Sequence, residues 1–226
     1  MEAGTSGTVV ALFAAASLGL KLVVLVLLAA LIAAVAITIA KFTEYSRVKA
    51  DIEAFERHFW SGPSIDELYA SISGKPHSAS ATIFMAGMYE WRRTLEMSPH
   101  APHGVLERME RLMTVAIARE SNRLRQWLAV LPITVSAGPL LGLAAASWSI
   151  MSALAGVAPD NGAGFRAIAP HMGQGLMALA AGCFVAAVAK LCHGVLARRV
   201  GRLEQQLRDF AQEFSVIASR QTHASA

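Results

Sequence analysis

Residues 22–40 form an apolar run without a charged side chain, closed at its ends by Lys21 and Lys41. Coiled as a helix, these 19 residues come close to crossing the roughly 30 Å of a bilayer's hydrocarbon. Hydrocarbon offers the backbone no water, so a spanning segment of this kind has to be helical. Residues 127–159 and 167–189 also lack Asp, Glu, Lys and Arg, and between them Asp160, Asn161, Gly162, Gly164 and Arg166 supply a tight loop. The sequence therefore predicts an all-α polytopic membrane protein whose three transmembrane helices extend into long cytoplasmic helices.

The expected division is an external interfacial segment at 1–20, a first span at 21–41 and a cytoplasmic helical region at 42–126. A second span at 127–158, a periplasmic loop at 159–166, a third span at 167–190 and a cytoplasmic tail at 191–226 complete it. A cleaved signal peptide would need a basic stretch before its apolar core, whereas Glu2 is the sole charge before Lys21. The first run is accordingly expected to stay as a span, with the Gly-, Ala- and Ser-rich residues 8–20 lying along the interface.

Only 16% of the residues are charged, against about 25% in a soluble domain, which argues against an ordinary soluble enzyme. Those charges crowd into residues 41–125 and 190–220. Nearly every basic residue lies in these two blocks, so the positive-inside rule places both in the cytoplasm, with the amino terminus outside and the carboxyl terminus inside. Acids nearly match the bases of the middle block. No basic stripe of the kind that neutralises phosphates runs along the sequence, and nucleic acid is not an expected partner. Cys183 and Cys192 fall on nearly opposite faces of one helix, about 13 Å apart along its axis, and cannot bridge each other.

In the tail, Val200, Leu203, Leu207, Phe210, Phe214 and Ile217 recur at spacings of three and four, the mark of a helical packing seam. Arg202, Glu204, Arg208 and Glu213 take the other faces, and the third span is expected to run on into this segment as one long helix. Residues 107–126 read as a charged helix leading directly into the second span, and residues 41–59 continue the first. Turn chemistry occurs at residues 61–63, 73–76 and 98–102.

No phosphate-cradling glycine motif is present, and no Cys/His set has metal-ligand spacing. His100 and His103 flank prolines in a turn and read as a solvated loop. No cofactor is implied. Polar groups within the spans cost most and so are the informative ones. The second span holds Thr134, Ser136, Ser147, Ser149 and Ser152, is bent by Pro132 and Pro139, and carries Gly138 and Gly142 on a small-residue face suited to close helix packing. His171 and Gln174 share a face near the outer end of the third span. No acid or base occupies a span core, so this chain by itself offers no titratable carboxylate to carry protons.

Several separated stretches resemble the TolQ branch of the TolQ/ExbB/MotA proton-channel family, from about residue 18 to residue 221. Residues 53–62, EAFERHFWSG, resemble the segment after the first span, and residues 100–102, HAP, open the helix leading to the second. Residues 134–151, TVSAGPLLGLAAASWSIM, follow without a gap the family pattern VGSTAPFVGLFGTVWGIM, with Ser136, Pro139, Gly142, Leu143, Trp148, Ile150 and Met151 matching. The third span opens with IAP at 168–170 and keeps Leu176 and Gly182. Glu213, Phe214, Ile217, Arg220 and Gln221 resemble the branch's tail.

The resemblance implies a homopentamer in a bacterial inner membrane, its pore enclosing the helices of a TolR-like or ExbD-like single-span protein. Proton flow there would drive a TolA-like or TonB-like protein. The ionisable carboxylate would belong to the partner, in keeping with its absence here. The family also carries a pore-facing threonine in each of the second and third spans, with a glutamate five residues before the latter. Ala146, Leu179 and Gln174 stand at those positions, leaving the implied pore more apolar than its relatives. Ser149, nearly on the face of Ala146, and Ser147 and His171 are the polar groups that could substitute. Gly138, Pro139, Gly142 and Gly182 are read as helix-packing residues. Two readings stay open beside the leading one: a weakly or non-conducting paralogue acting as a scaffold, and an ExbB-like subunit serving TonB-dependent transport.

Overall fold

A computed structural model of the chain describes residues 18–62, 65–72, 78–97, 104–155 and 164–224. These residues form six helices and no strand: α1 Leu18–Trp60, α2 Ile65–Ile72, α3 Ala79–Met97, α4 Val105–Arg125, α5 Val130–Ala155 and α6 Gly164–Ala224. Three of them, α1, α5 and α6, are long and apolar enough to cross a membrane. The turns expected at 73–76 and 98–102, with His100 and His103, lie outside the described residues, as do residues 1–17 of the expected interfacial segment.

Both end helices are longer than one span needs. In α1 the apolar run continues without a break into charged sequence for 43 residues in all, and α6 runs for 61 residues. Helix α1 starts at Leu18, so residues 18–20 of the expected interfacial segment form its first turn. Helix α6 starts at Gly164, which takes Gly164 and Arg166 out of the expected loop and into the helix.

The second span departs further from expectation. The charged helix α4 does not feed directly into α5: residues 126–129 form a turn, with Trp127 in the left-handed region at φ 70°. Three-residue hydrogen bonds close the turn, from the Val130 amide to the Trp127 carbonyl and from the Leu131 amide to the Leu128 carbonyl. Pro132 explains why a break is tolerated here. It falls in the first turn of α5, where its missing N–H is not needed, whereas in one continuous helix it would interrupt the ladder.

The described residues divide into two compact units, 18–39 with 127–195 and 40–126 with 196–224. In the first, Leu20 is buried with Ala145 and Ala178, and Val23 packs against them. An 18-residue apolar window is only 11% buried in α1, against 33% in each of α5 and α6, so α1 is the most peripheral of the three. Its Leu22, Leu25, Leu28, Ile32 and Ile39 are exposed, an arrangement that suits lipid and not water.

The second unit is built on an aromatic core. Phe55 and Phe59 of α1, Phe84 of α3, and Phe210 and Phe214 of α6 are buried with ring centroids 5.1–6.4 Å apart in the contacting pairs between helices and within α1. Gly87 of α3 permits this approach, since an added Cβ would come within 2.9 Å of the Phe214 ring and 3.1 Å of the Met113 sulfur. The predicted tail seam is buried at Val200, Leu203, Leu207, Phe210 and Phe214, while Ile217 is half-buried.

Candidate functional site

Small residues bring the backbones of α5 and α6 together. An added Cβ at Gly138 would lie 2.8 Å from the Gly182 carbonyl oxygen, and one at Gly142 would lie 2.9 Å from both the Ala178 carbonyl oxygen and the Leu179 Cα. At Gly175 it would lie 3.0 Å from the Ala146 Cα. Positions 138, 142 and 146 on α5 thus meet 182, 178–179 and 175 on α6. The order reverses along α6, so the helices are antiparallel, meeting along a row of residues four apart on α5. Pro139 lies inside α5 and is half-buried.

This seam gathers all three of the substituted positions. Ala146 is buried against Gly175, Leu179 is half-buried beside Gly142, and Gln174 is 3% exposed next to Gly175 in the chain. Ser149, one turn of α5 beyond Ala146, is buried, and its carbonyl accepts a 2.9 Å hydrogen bond from the Ser152 hydroxyl. Ser147 is exposed and His171 is half-buried. Ser149 and Gln174 are therefore the enclosed polar side chains, whereas Ser147 points away from the closest contact. A hydroxyl and an amide relay hydrogen bonds but do not ionise near neutral pH, so neither of these two enclosed groups takes up and releases a proton by itself.

Several hydroxyls of α5 are committed to their own helix. Thr134 donates to the Val130 carbonyl at 2.9 Å, and Ser136 reaches both the Pro132 and Ile133 carbonyls at 3.2 and 3.0 Å. The Thr134 and Ser136 hydroxyls are thereby spent on carbonyls of their own helix.

In the second unit, α6 is fastened by a polar lock that helical periodicity does not reveal. The Glu204 carboxylate accepts from Arg208 at 2.7 Å, from the Ser121 hydroxyl at 2.8 Å and from Arg125 at 3.0 Å. These three donors hold its carboxyl down at about 2, Arg208 contributing most. Nearby, Tyr45 is 2% exposed and donates to the Leu124 carbonyl at 2.8 Å. Burial pushes the phenol up to about 12. Gln206 donates to Glu56 at 3.0 Å, and burial raises the Glu56 carboxyl above its ordinary range. Glu204 shares the charged face that periodicity assigns to solvent; a Ser–x–x–x–Arg pair on α4 was the available hint of its partner. Among the described residues, no group of three or more His, Cys, Asp or Glu side chains could hold a metal ion.

Residues 76–209 match the MotA/TolQ/ExbB proton channel family. The chain is 30% identical over 217 residues to the Tol-Pal system protein TolQ of Haemophilus influenzae, covering 95% of each chain. To the Tol-Pal system protein TolQ of Pseudomonas aeruginosa it is 32% identical over 212 residues, 93% of this chain and 92% of the relative. The biopolymer transport protein ExbB of Salmonella typhimurium is 26% identical over 221 residues, with 93% and 86% covered.

Proposed function

Because the chain belongs to the MotA/TolQ/ExbB proton channel family, we propose that it serves as the TolQ-like subunit of a proton-driven, energy-transducing complex of the Tol-Pal type. The coarser statement stands on its own: it is a non-enzymatic, multi-pass proton-channel subunit. The observation that carries the finer one is near-full-length similarity to two TolQ proteins at 30% and 32% identity, against 26% for the ExbB relative. In this reading the chain sits in a bacterial inner membrane with its amino terminus in the periplasm and its carboxyl terminus in the cytoplasm. Copies of it, five in a ring, enclose the helices of a TolR-like partner, and a TolA-like protein receives the motion.

The mechanism follows from the charges. Residues 130–155 and 168–189 contain no Asp, Glu, Lys or Arg, so the partner has to bring the carboxylate that takes up and releases protons. The α5–α6 helix pair would form its wall. Ala146 and Leu179 remove hydroxyls that could hydrogen-bond that carboxylate, and a drier surround raises its pKa and favours the neutral form. A proton crossing 100 mV supplies about 2.3 kcal/mol, so even a modest added barrier competes with the drive.

That same substitution pattern favours the second reading, a scaffold that binds its partner but conducts weakly. Proton flux into liposomes holding this protein and its single-span partner distinguishes the two. The TolQ-like reading expects flux clearly above that of empty liposomes, though below that of a threonine-bearing relative; flux at the level of empty liposomes would defeat it. Ala146→Thr and Leu179→Thr should each raise flux several-fold where these positions line the pathway. Leu179→Thr is the safer variant because Leu179 is half-buried, whereas a larger side chain at Ala146 has Gly175 against it. No change in flux from either variant would remove these positions from the pathway.

A further inference from the structure

Within the second unit, α1 and α6 enclose a cavity of about 410 Å³ lined by Tyr45, Ser46 and Lys49 from one helix and Arg199, Arg202 and Gln206 from the other, over Leu203. Three of these side chains are cations and none is a carboxylate. The Arg199 guanidinium lies 3.7 Å from the centroid of the Phe42 ring, and among the described residues neither Arg199 nor Arg202 has an acidic partner. Lys49 pairs with Glu53 at 3.3 Å, an exposed contact one turn away that solvent or another anion can replace at little cost. Other acids near these helices are engaged elsewhere, Glu56 by Gln206, Glu44 by Lys41, and Glu204 by Arg125 and Arg208. The Tyr45 and Ser46 hydroxyls already donate to the Leu124 and Phe42 carbonyls. What remains is a concave wall of unspent N–H donors, suited to an anion with several acceptor oxygens in fixed geometry; guanidinium groups match phosphate in this way.

Position along the helices indicates which phosphate. Lys49 follows Lys41 by eight residues in α1, about 12 Å of helix, and Arg199 and Arg202 follow Lys190 by nine and twelve in α6, about 14 and 18 Å. In both helices the apolar run is on the N-terminal side, and side chains of a helix lean toward its N-terminus. The long Lys49, Arg199 and Arg202 side chains therefore lean back toward the end of the apolar sequence, as snorkelling residues do. Leaning back by most of their length, Lys49 and Arg199 approach a headgroup layer roughly 5–8 Å thick, while Arg202 stands about 5 Å further along α6 than Arg199. We propose that this cavity binds the phosphate of an anionic phospholipid headgroup, with Arg199 and Lys49 as the principal donors and Arg202 as the third cation behind them.

The test uses the full-length protein in neutral detergent, with bound lipid counted by native mass spectrometry during titration with phosphatidylglycerol, phosphatidylcholine or inorganic phosphate. Phosphatidylglycerol should bind in preference to phosphatidylcholine. Arg199→Ala, Arg202→Ala and Lys49→Gln should each weaken it about fivefold, while Arg93→Ala, an exposed cation on α3, should leave it unchanged. Lys49 is 62% exposed, so its variant keeps the fold and gives an answer even if an arginine variant does not. Equal binding of the two lipids, or full binding by Lys49→Gln, would overturn the proposal. Displacement of the lipid by millimolar inorganic phosphate would make this a site for a soluble anion instead. Altered oligomer mass with lipid binding intact would make the cavity a contact between copies of the chain, and would equally overturn it.

Discussion

Gly138 and Gly182 owe their identity to distance, not to backbone conformation. Both sit in ordinary helix, where glycine costs about 1 kcal/mol relative to alanine, and that cost is offset because nothing larger than hydrogen fits between the two backbones. Gly138→Ala would place a methyl group 2.8 Å from the Gly182 carbonyl oxygen, forcing α5 and α6 apart. The expected loss is about 1–3 kcal/mol, read as a lowered thermal midpoint in detergent; an unchanged midpoint would mean that the helices separate freely. Sequence placed Gly138 and Gly142 on one small-residue face, and the family resemblance added Gly182 as a packing residue. It did not show that Ala146 and Gly175 extend the same row, because alanine is unremarkable in an apolar span.

Between elements, the bond set around Glu204 joins α6 to α4 by way of Ser121 and Arg125. Its carboxyl is ordinarily near 4.5 and is held near 2 in the fold. A depressed value in the folded state stabilises fully above the unfolded value, and that contribution drains away as pH falls from about 4.5 toward about 2. Glu204→Gln should therefore lower stability at neutral pH by about 1–3 kcal/mol and flatten the loss across the acidic window. Circular dichroism melts between pH 6 and pH 2 would check both parts, and an acid response identical to that of the unmodified protein would rule out this role. Periodicity had placed Glu204 on an outer face because a helical wheel assigns sides without knowing how closely a neighbouring helix approaches.

Across the whole molecule, the charge distribution predicts that residues 41–125 and 190–226 face one compartment. Cysteines introduced singly at Gly62 and Arg220 in a background with Cys183 and Cys192 replaced should both react with a membrane-impermeant maleimide only after the cytoplasmic side is opened. Labelling of either from the periplasmic side would invert the topology proposed above. The orientation is a property of where basic side chains sit relative to the apolar runs, so it belongs to the sequence as a whole and to no single contact.

By itself, the sequence determined that the chain is helical, where three helices can cross a bilayer, and that no acid or base lies in their cores. These properties are local: membrane entry depends on about 20 consecutive residues, and helical hydrogen bonds close within four. Tertiary structure decided which faces meet. It broke the expected continuity of α4 and α5 at Trp127, set Ala146 against Gly175, and buried Tyr45 beneath the Leu124 carbonyl. It also gathered Lys49, Arg199 and Arg202 around one cavity, though no basic stripe joins them along the chain. Each of those outcomes depends on the approach of segments distant in sequence, and hydrophobic periodicity carries the direction of a side chain but not the identity of what it meets.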